Sequence, residues 1–171
     1  RVTLAVGAKD VSSFLPPVHG RAALPRIIHF LEQQQFGRRG DLNSLLFSLR
    51  PLLKPSQFTV VISDFLSSWQ PGLESLLFAR QQILAFQVTS PDEVEPDWRG
   101  AITLIDSETG SKRDIELDQF TLSAYQEAVA AHGAEIKKFC SGHGIACYDY
   151  QVNRDPVDFL ALIAPAILKP V

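Results

Sequence analysis

Residues 58–64 read Phe58-Thr59-Val60-Val61-Ile62-Ser63-Asp64, and this stretch decides the fold. A nearly continuous β-favouring run is the pattern of a strand covered on both faces, as in a parallel sheet. The expectation is a central, innermost strand with Ser63 and Asp64 at its carboxyl end. Downstream, Pro71 and Gly72 introduce a helix through Leu73, Leu76, Leu77 and Arg80, and residues 83–88 form a second buried strand. Strand, helix and strand in that order make a parallel β-α-β unit.

On the amino-terminal side, residues 2–6 and 11–15 read as a hairpin around Lys9 and Asp10, closed by Pro16 and Pro17. Leu24, Ile27, Ile28 and Leu31 follow helical spacing, with Pro25 in the first turn, and the segment runs to about Gln35. Asp41 is placed to cap a second helix through Leu42, Leu45, Leu46 and Leu49, which Pro51 ends. On the carboxyl-terminal side, residues 101–105 and 114–117 flank the turn Asp106-Ser107-Glu108-Thr109-Gly110, a polar hairpin read as an insertion or edge ribbon. Leu122, Tyr125, Val129, His132, Ile136 and Phe139 mark a long helix over residues 121–141. His132, on that stripe, is expected to be a hydrogen-bonded boundary residue rather than a ligand. Residues 146–152 alternate as a strand near a sheet edge, and Asp155 caps a last helix through Phe159, Leu160 and Ile163.

The 171 residues are 46% apolar and 20% charged, the balance of one ordinary globular domain, and the order of elements makes it α/β. No apolar run reaches the roughly 18 to 20 residues of a membrane helix, and residues 1–6 do not read as a secretory signal. The net charge of −3 hides an asymmetry: residues 1–60 carry +5 and the remainder −8, with the acidic excess between Asp92 and Asp118. That excess reads as a solvated face or as a docking patch for a basic partner. Nucleic acid is disfavoured, because phosphate binding needs a concentrated basic surface. Cys140 and Cys147 read as reduced thiols; their spacing permits a bridge that a chain without an export signal is not expected to form. His19, His29, His132 and His143 show no zinc-ligand spacing.

In open α/β sheets the working crevice lies outside the carboxyl ends of the strands, which singles out Asp64. Its carboxylate, beside the Ser63 hydroxyl, would hold Mg²⁺ or Mn²⁺ if other oxygens converged on it; equally, it would cap the following turn. Gly37-Arg38-Arg39-Gly40 before a helix resembles an anion cradle. The negative cap at Asp41 and the missing Lys-Ser/Thr pair favour a surface turn instead. Asp92, Glu93, Glu95 and Asp97 lie between Pro91 and Pro96 or just beyond, and read as a solvated connector rather than paired catalytic acids. No serine sits in a G-x-S-x-G elbow and neither cysteine has a histidine at a recognised spacing, so nucleophilic catalysis has no signature here.

Four segments in order carry a family resemblance: the run from Phe58 to Phe65, Ser90-Pro91-Asp92-Glu93-Val94-Glu95-Pro96, the hairpin with Ile105-Asp106-Ser107-Glu108-Thr109-Gly110, and the helix beginning Ser123-Ala124-Tyr125. Over nearly the whole chain they resemble the bacterial domain of unknown function 58 family. Its members look like von Willebrand factor A-type domains, often encoded beside MoxR-type AAA+ ATPases and often preceded by membrane helices. The resemblance implies a doubly wound, mostly parallel, Rossmann-like sheet with an added β-hairpin, as one domain over residues 1–171. It also implies a metal-ion-dependent adhesion site, whose last aspartate matches Asp64 and whose threonine position, in the segment before Asp41, holds Gly40. The Asp-x-Ser-x-Ser element is absent; residues 2–6 match the second strand of the family pattern, so the first central strand is expected to lie before Arg1 and the chain to be N-terminally incomplete.

The expected function is a non-catalytic protein-interaction domain, and the resemblance implies that it is accessory or adaptor to a MoxR-type AAA+ ATPase. Ser63, Asp64, Gly40 and Asp41 would be its interaction residues, Asp64 a weak, degenerate metal ligand, and the cofactor either none or weakly bound Mg²⁺. The expected location is cytoplasmic, or the cytoplasmic face of the membrane if an anchor lies outside this chain. The alternatives are a metal-dependent hydrolase centred on Asp64 and a purely structural oligomerisation module.

Overall fold

The computed structural model describes residues 1–7, 10–35, 40–94, 96, 100–106 and 110–167. It is a mixed α/β structure that divides into two compact units. The first comprises Arg1–Phe58, Phe65–Gln82 and Ile105–Lys112; the second comprises Thr59–Asp64, Ile83–Leu104 and Arg113–Val171. Among the described residues no helix is long and apolar enough to cross a membrane.

The first unit opens with the antiparallel hairpin β1 (Val2–Gly7) and β2 (Val11–Val18). β2 does not stop at Pro16. It continues through both prolines, because a two-stranded ribbon leaves edge positions where a missing N–H costs no ladder bond. The pairing absorbs them by a register shift between Val2↔Val18 and Leu4↔Leu15. A short 3₁₀ turn, Arg21–Ala23, leads into α1 (Leu24–Glu32). Leu15, Val18 and Ala23 form a buried cluster with Leu4, Ile27 and Phe30 packed against it. The expected apolar stripe of α1 is therefore corrected: Leu24, Ile28 and Leu31 are exposed, and Ile27 and Phe30 make the contact. Helical spacing defines a face but not which edge of it meets the core.

α2 (Leu42–Leu49) and α3 (Gln70–Phe78) pack together in the same unit through Leu42, Leu46, Leu73 and Leu76, all buried. Phe65 and Trp69, also buried, meet edge to face with ring centroids 5.7 Å apart. The exposed edge of this region carries Arg50, whose guanidinium lies 5.2 Å from the centroid of the Phe78 ring.

In the second unit, β3 (Phe58–Ser63), β4 (Gln82–Thr89) and β7 (Ala146–Gln151) form a parallel three-stranded sheet in the order β3-β4-β7. This corrects the reading of residues 58–62. The innermost strand is β4, and β3 lies at the end of the described order with Thr59 and Val61 buried but Phe58, Val60 and Ile62 exposed. A continuous apolar run looks the same whether its second face is covered or open, so composition alone does not separate the two. The edge placement of β7 agrees with its alternating sequence.

Helices cover both faces of the β4–β7 pair. α5 (Gln119–Gly142) brings Gly133 over Gln87, whose Oε1 lies 3.8 Å from where a Cβ on Gly133 would sit. On the opposite face, Phe159 of α6 (Pro156–Ile167) packs against Phe86 and Tyr150 at centroid separations of 6.0 and 4.9 Å, and Phe86 stacks on Tyr148. Asp155 caps α6, accepting from the N–H groups of Val157 and Asp158 at 2.7 and 3.2 Å. The ribbon of β5 (Gly100–Ile105) and β6 (Lys112–Leu117) is a separate two-stranded sheet, fastened by the Thr103 hydroxyl donating to Asp114 at 2.6 Å.

Two further expectations are corrected here. The segment from Pro91 is a single helical turn, α4 (Pro91–Val94), because Ser90 and Glu93 cap it. The Ser90 N–H donates to Glu93 Oε2 at 2.9 Å and the Glu93 N–H to the Ser90 carbonyl at 3.1 Å. His132 is half-buried, as expected of a boundary residue, but its Nε2 is buried and finds no hydrogen-bond partner among the described residues. Gly37, Arg38, Arg39, Glu95, Asp97 and the tip of the ribbon turn at residues 107–109 lie outside the described residues.

Candidate functional site

Parallel strands place their carboxyl ends on one side of a sheet, and in this fold class that is where loops converge. β3 ends there in Ser63, half-buried, and Asp64, exposed; the Ser63 hydroxyl donates to Asp64 Oδ1 at 3.4 Å. β4 ends in Thr89, whose hydroxyl donates to Asp149 Oδ1 of β7 at 3.1 Å. The chain after β7 is tied to the same strand end by the Val152 N–H donating to the Thr89 carbonyl at 3.0 Å. Beyond Thr89 stands the capped turn of α4 with Glu93. Near it the Tyr125 phenol is pushed above its ordinary value, first by burial and then by the negative charge of Glu93. This carboxyl-end rim thus carries acidic groups: Asp64 directly after β3, Glu93 in the turn that follows β4, and Asp149 within β7, two residues before its end.

Thr89 and Asp149 were not singled out from sequence, Glu93 was read as part of a solvated connector, and Tyr125 only as a helix-stripe residue. The rule that drew attention to Asp64 applies equally to the last residue of β4, and would have found Thr89. Asp149 carried no such signal, since its partner is 60 residues away.

Gly40 and Asp41 belong to the first unit, Ser63 and Asp64 to the second. Gly40 is exposed. Asp41 is a helix cap: its carboxylate accepts from the Ser44 N–H at 3.3 Å and the Ser44 hydroxyl at 2.5 Å. The other two orphan donors of the first turn are met from the segment after β3, the Leu42 N–H by Ser67 Oγ at 3.0 Å and the Asn43 N–H by the Ser68 carbonyl at 3.0 Å. The Asn43 side chain donates to Ser68 Oγ at 2.6 Å and accepts from the Gly72 N–H at 2.7 Å. With these amides engaged, this helix terminus is occupied by its own protein. Replacing Asp41 with alanine should lower stability by about 1 kcal/mol, readable as a shift of the urea midpoint at unchanged slope.

The donor set for a divalent ion does not fit. Asp64 offers one carboxylate and Ser63 one hydroxyl, Gly40 has no side-chain donor, and the Asp41 carboxylate is committed to Ser44. Among the described residues no three His, Cys, Asp or Glu side chains converge to hold a metal, whereas hard cations take six or more oxygens.

Curated relatives extend this picture without naming an activity. The chain is 32% identical to the uncharacterized protein MAV169 of Mycobacterium avium over 139 residues, covering 80% of this chain and 82% of that protein. It is also 32% identical over 132 residues, 76% of this chain, to the uncharacterized proteins Rv1480 of Mycobacterium tuberculosis and Mb1516 of Mycobacterium bovis, and spans 41% of the length of each. No solved structure matches the chain significantly. The family model described as "Protein of unknown function DUF58" matches residues 1–135, and with these relatives it establishes that the chain belongs to the DUF58 family.

Proposed function

We propose that this chain is a non-catalytic protein-interaction domain of von Willebrand A type, an accessory or adaptor to a MoxR-type AAA+ ATPase on the cytoplasmic side of the membrane. The observation that carries this reading is the outer face of β3, where Val60 is 46% and Ile62 68% exposed immediately before Asp64. Scattered exposed apolar residues are ordinary, but β-branched residues on alternate positions of one strand, rimmed by a carboxylate, are what a docking protein surface requires. The doubly wound architecture is supported by the parallel β3-β4-β7 order and by helices on both faces of β4 and β7. The charge asymmetry adds a reason for an acidic rim to meet a basic partner.

Binding of the chain to a purified MoxR-type ATPase, measured by fluorescence anisotropy, tests the proposal. Val60→Thr with Ile62→Thr should weaken binding at least tenfold while leaving the melting temperature within a few degrees, because both side chains are already in water. Asp64→Ala should alter affinity and its salt dependence with a stability change within about 0.5 kcal/mol. Unchanged affinity in both variants, or lost stability with unchanged affinity in Asp64→Ala, would remove the proposal.

A further inference from the structure

The two cysteines, seven residues apart in sequence, are brought face to face by the junction of α5 and β7. α5 covers the face of the sheet on which Ala85, Gln87 and Thr89 alternate with their β7 partners Cys147, Asp149 and Gln151. From Gly133, which sits over Gln87, Cys140 lies two helical turns further, about 10 Å along the axis. From Asp149, the partner of Gln87, Cys147 lies two residues back toward the start of β7, about 7 Å along the strand. Because α5 runs against the strands, both displacements point the same way and set Cys140 above Cys147. The chain reverses tightly between them, with the Ile145 N–H donating to the Cys140 carbonyl at 2.8 Å. Both thiols are free, and they are hydrogen-bonded to each other.

The two environments differ in the way a nucleophile and its resolving partner differ. Cys140 is 1% exposed in the last turn of a helix, where the negative end of the helix dipole disfavours a thiolate. Its thiol is pushed up by its hydrogen bond to Cys147 and by burial. Cys147, by contrast, is half-buried. Its thiol is drawn below its ordinary value, chiefly by the hydrogen bond from Cys140 and further by the Lys137 ammonium, against the opposing effects of burial and Asp149.

We propose that Cys140 and Cys147 are a modification site at which a hydroperoxide forms a reversible intramolecular disulfide, with Cys147 attacking and Cys140 resolving. The Cys147 thiolate attacks the terminal peroxide oxygen and the O–O bond breaks, leaving a sulfenic acid on Cys147 and releasing an alkoxide or hydroxide that takes the thiol proton. The Cys140 sulfur then attacks the Cys147 sulfur, the S–O bond breaks and water leaves with the Cys140 proton. Two thiols lose two electrons in total and the peroxide gains them. The product joins the end of α5 to β7 across residues 141–146.

The test treats the folded chain with hydrogen peroxide in slight excess and follows intact mass, thiol count after denaturation and peptide mapping. The wild type should lose two hydrogens and both thiols, yield a Cys140–Cys147 cross-linked peptide, and regain both thiols with dithiothreitol. In Cys140→Ser, Cys147 should accumulate as a sulfenic acid that dimedone traps; in Cys147→Ser, Cys140 should stay a thiol under the same dose. Retention of both thiols in the wild type, a bridge formed only between molecules, or dimedone labelling of Cys140 in place of Cys147 would overturn it. The wild-type arm does not depend on either variant folding.

Discussion

Truncating Phe65 to alanine should destabilise the protein by about 3–5 kcal/mol, the range for a fully buried phenylalanine, and lower the melting temperature by roughly 6–20 °C. The ring is 0% exposed and loses its edge-to-face contact with Trp69 as well. Phe65 also has a φ of 60°, a left-handed backbone that an L side chain adopts only at a cost of about 1–2 kcal/mol. Burial of the ring therefore holds the turn after Asp64 in a conformation the backbone alone disfavours. A second substitution separates the two effects. Phe65→Gly removes the same ring but releases the strain, so it should be no more destabilising than Phe65→Ala, whereas elsewhere glycine costs about 0.5–1 kcal/mol more than alanine. Chemical denaturation of both variants decides it; a loss below about 1.5 kcal/mol in Phe65→Ala would mean the ring is not a core element.

Gly72→Ala should cost about 1–3 kcal/mol through overpacking. A Cβ there would stand 2.9 Å from Leu46 Cδ1, 2.9 Å from Asn43 Oδ1 and 3.1 Å from the Asn43 Cα. Leu46 can swing aside, but the Asn43 backbone cannot, because its N–H and side chain are bonded to Ser68. Moving α3 away to relieve the contact would also break the bond from the Gly72 N–H to Asn43. In an Asn43→Ala background the Oδ1 contact and that bond are already gone, so the penalty of Gly72→Ala should shrink by at least about 0.5 kcal/mol. Equal penalties in the two backgrounds would show that the close approach is not what the glycine serves.

Much of the local architecture was legible along the chain because it depends on neighbours within a turn or two. Asp41 and Asp155 announce helix starts, since a carboxylate there meets amides two and three residues ahead. The β-α-β unit follows from a hydrophobic period that changes from strand to helix and back. Asp64 at the end of β3 was legible for the same reason, as was the edge position of β7. The rim around it was not: Thr89 meets Asp149 across 60 residues, and the amides of α2 are met by Ser67 and Ser68 some 25 residues downstream. Local pattern carries no information about such pairs.

By itself the sequence determined the family, the order of the longer helices and strands, the capping roles of Asp41 and Asp155 and the carboxylate that follows the β3 run, because each depends on chemistry within a few residues. Only the tertiary structure decided that β4 is the inner strand, that Val60 and Ile62 face water, that Cys140 stands over Cys147 and that the His132 Nε2 is buried without a partner among the described residues. Burial is a property of what a side chain meets across space. An apolar run states that its residues prefer to be covered, and the packing of distant segments settles which of them are.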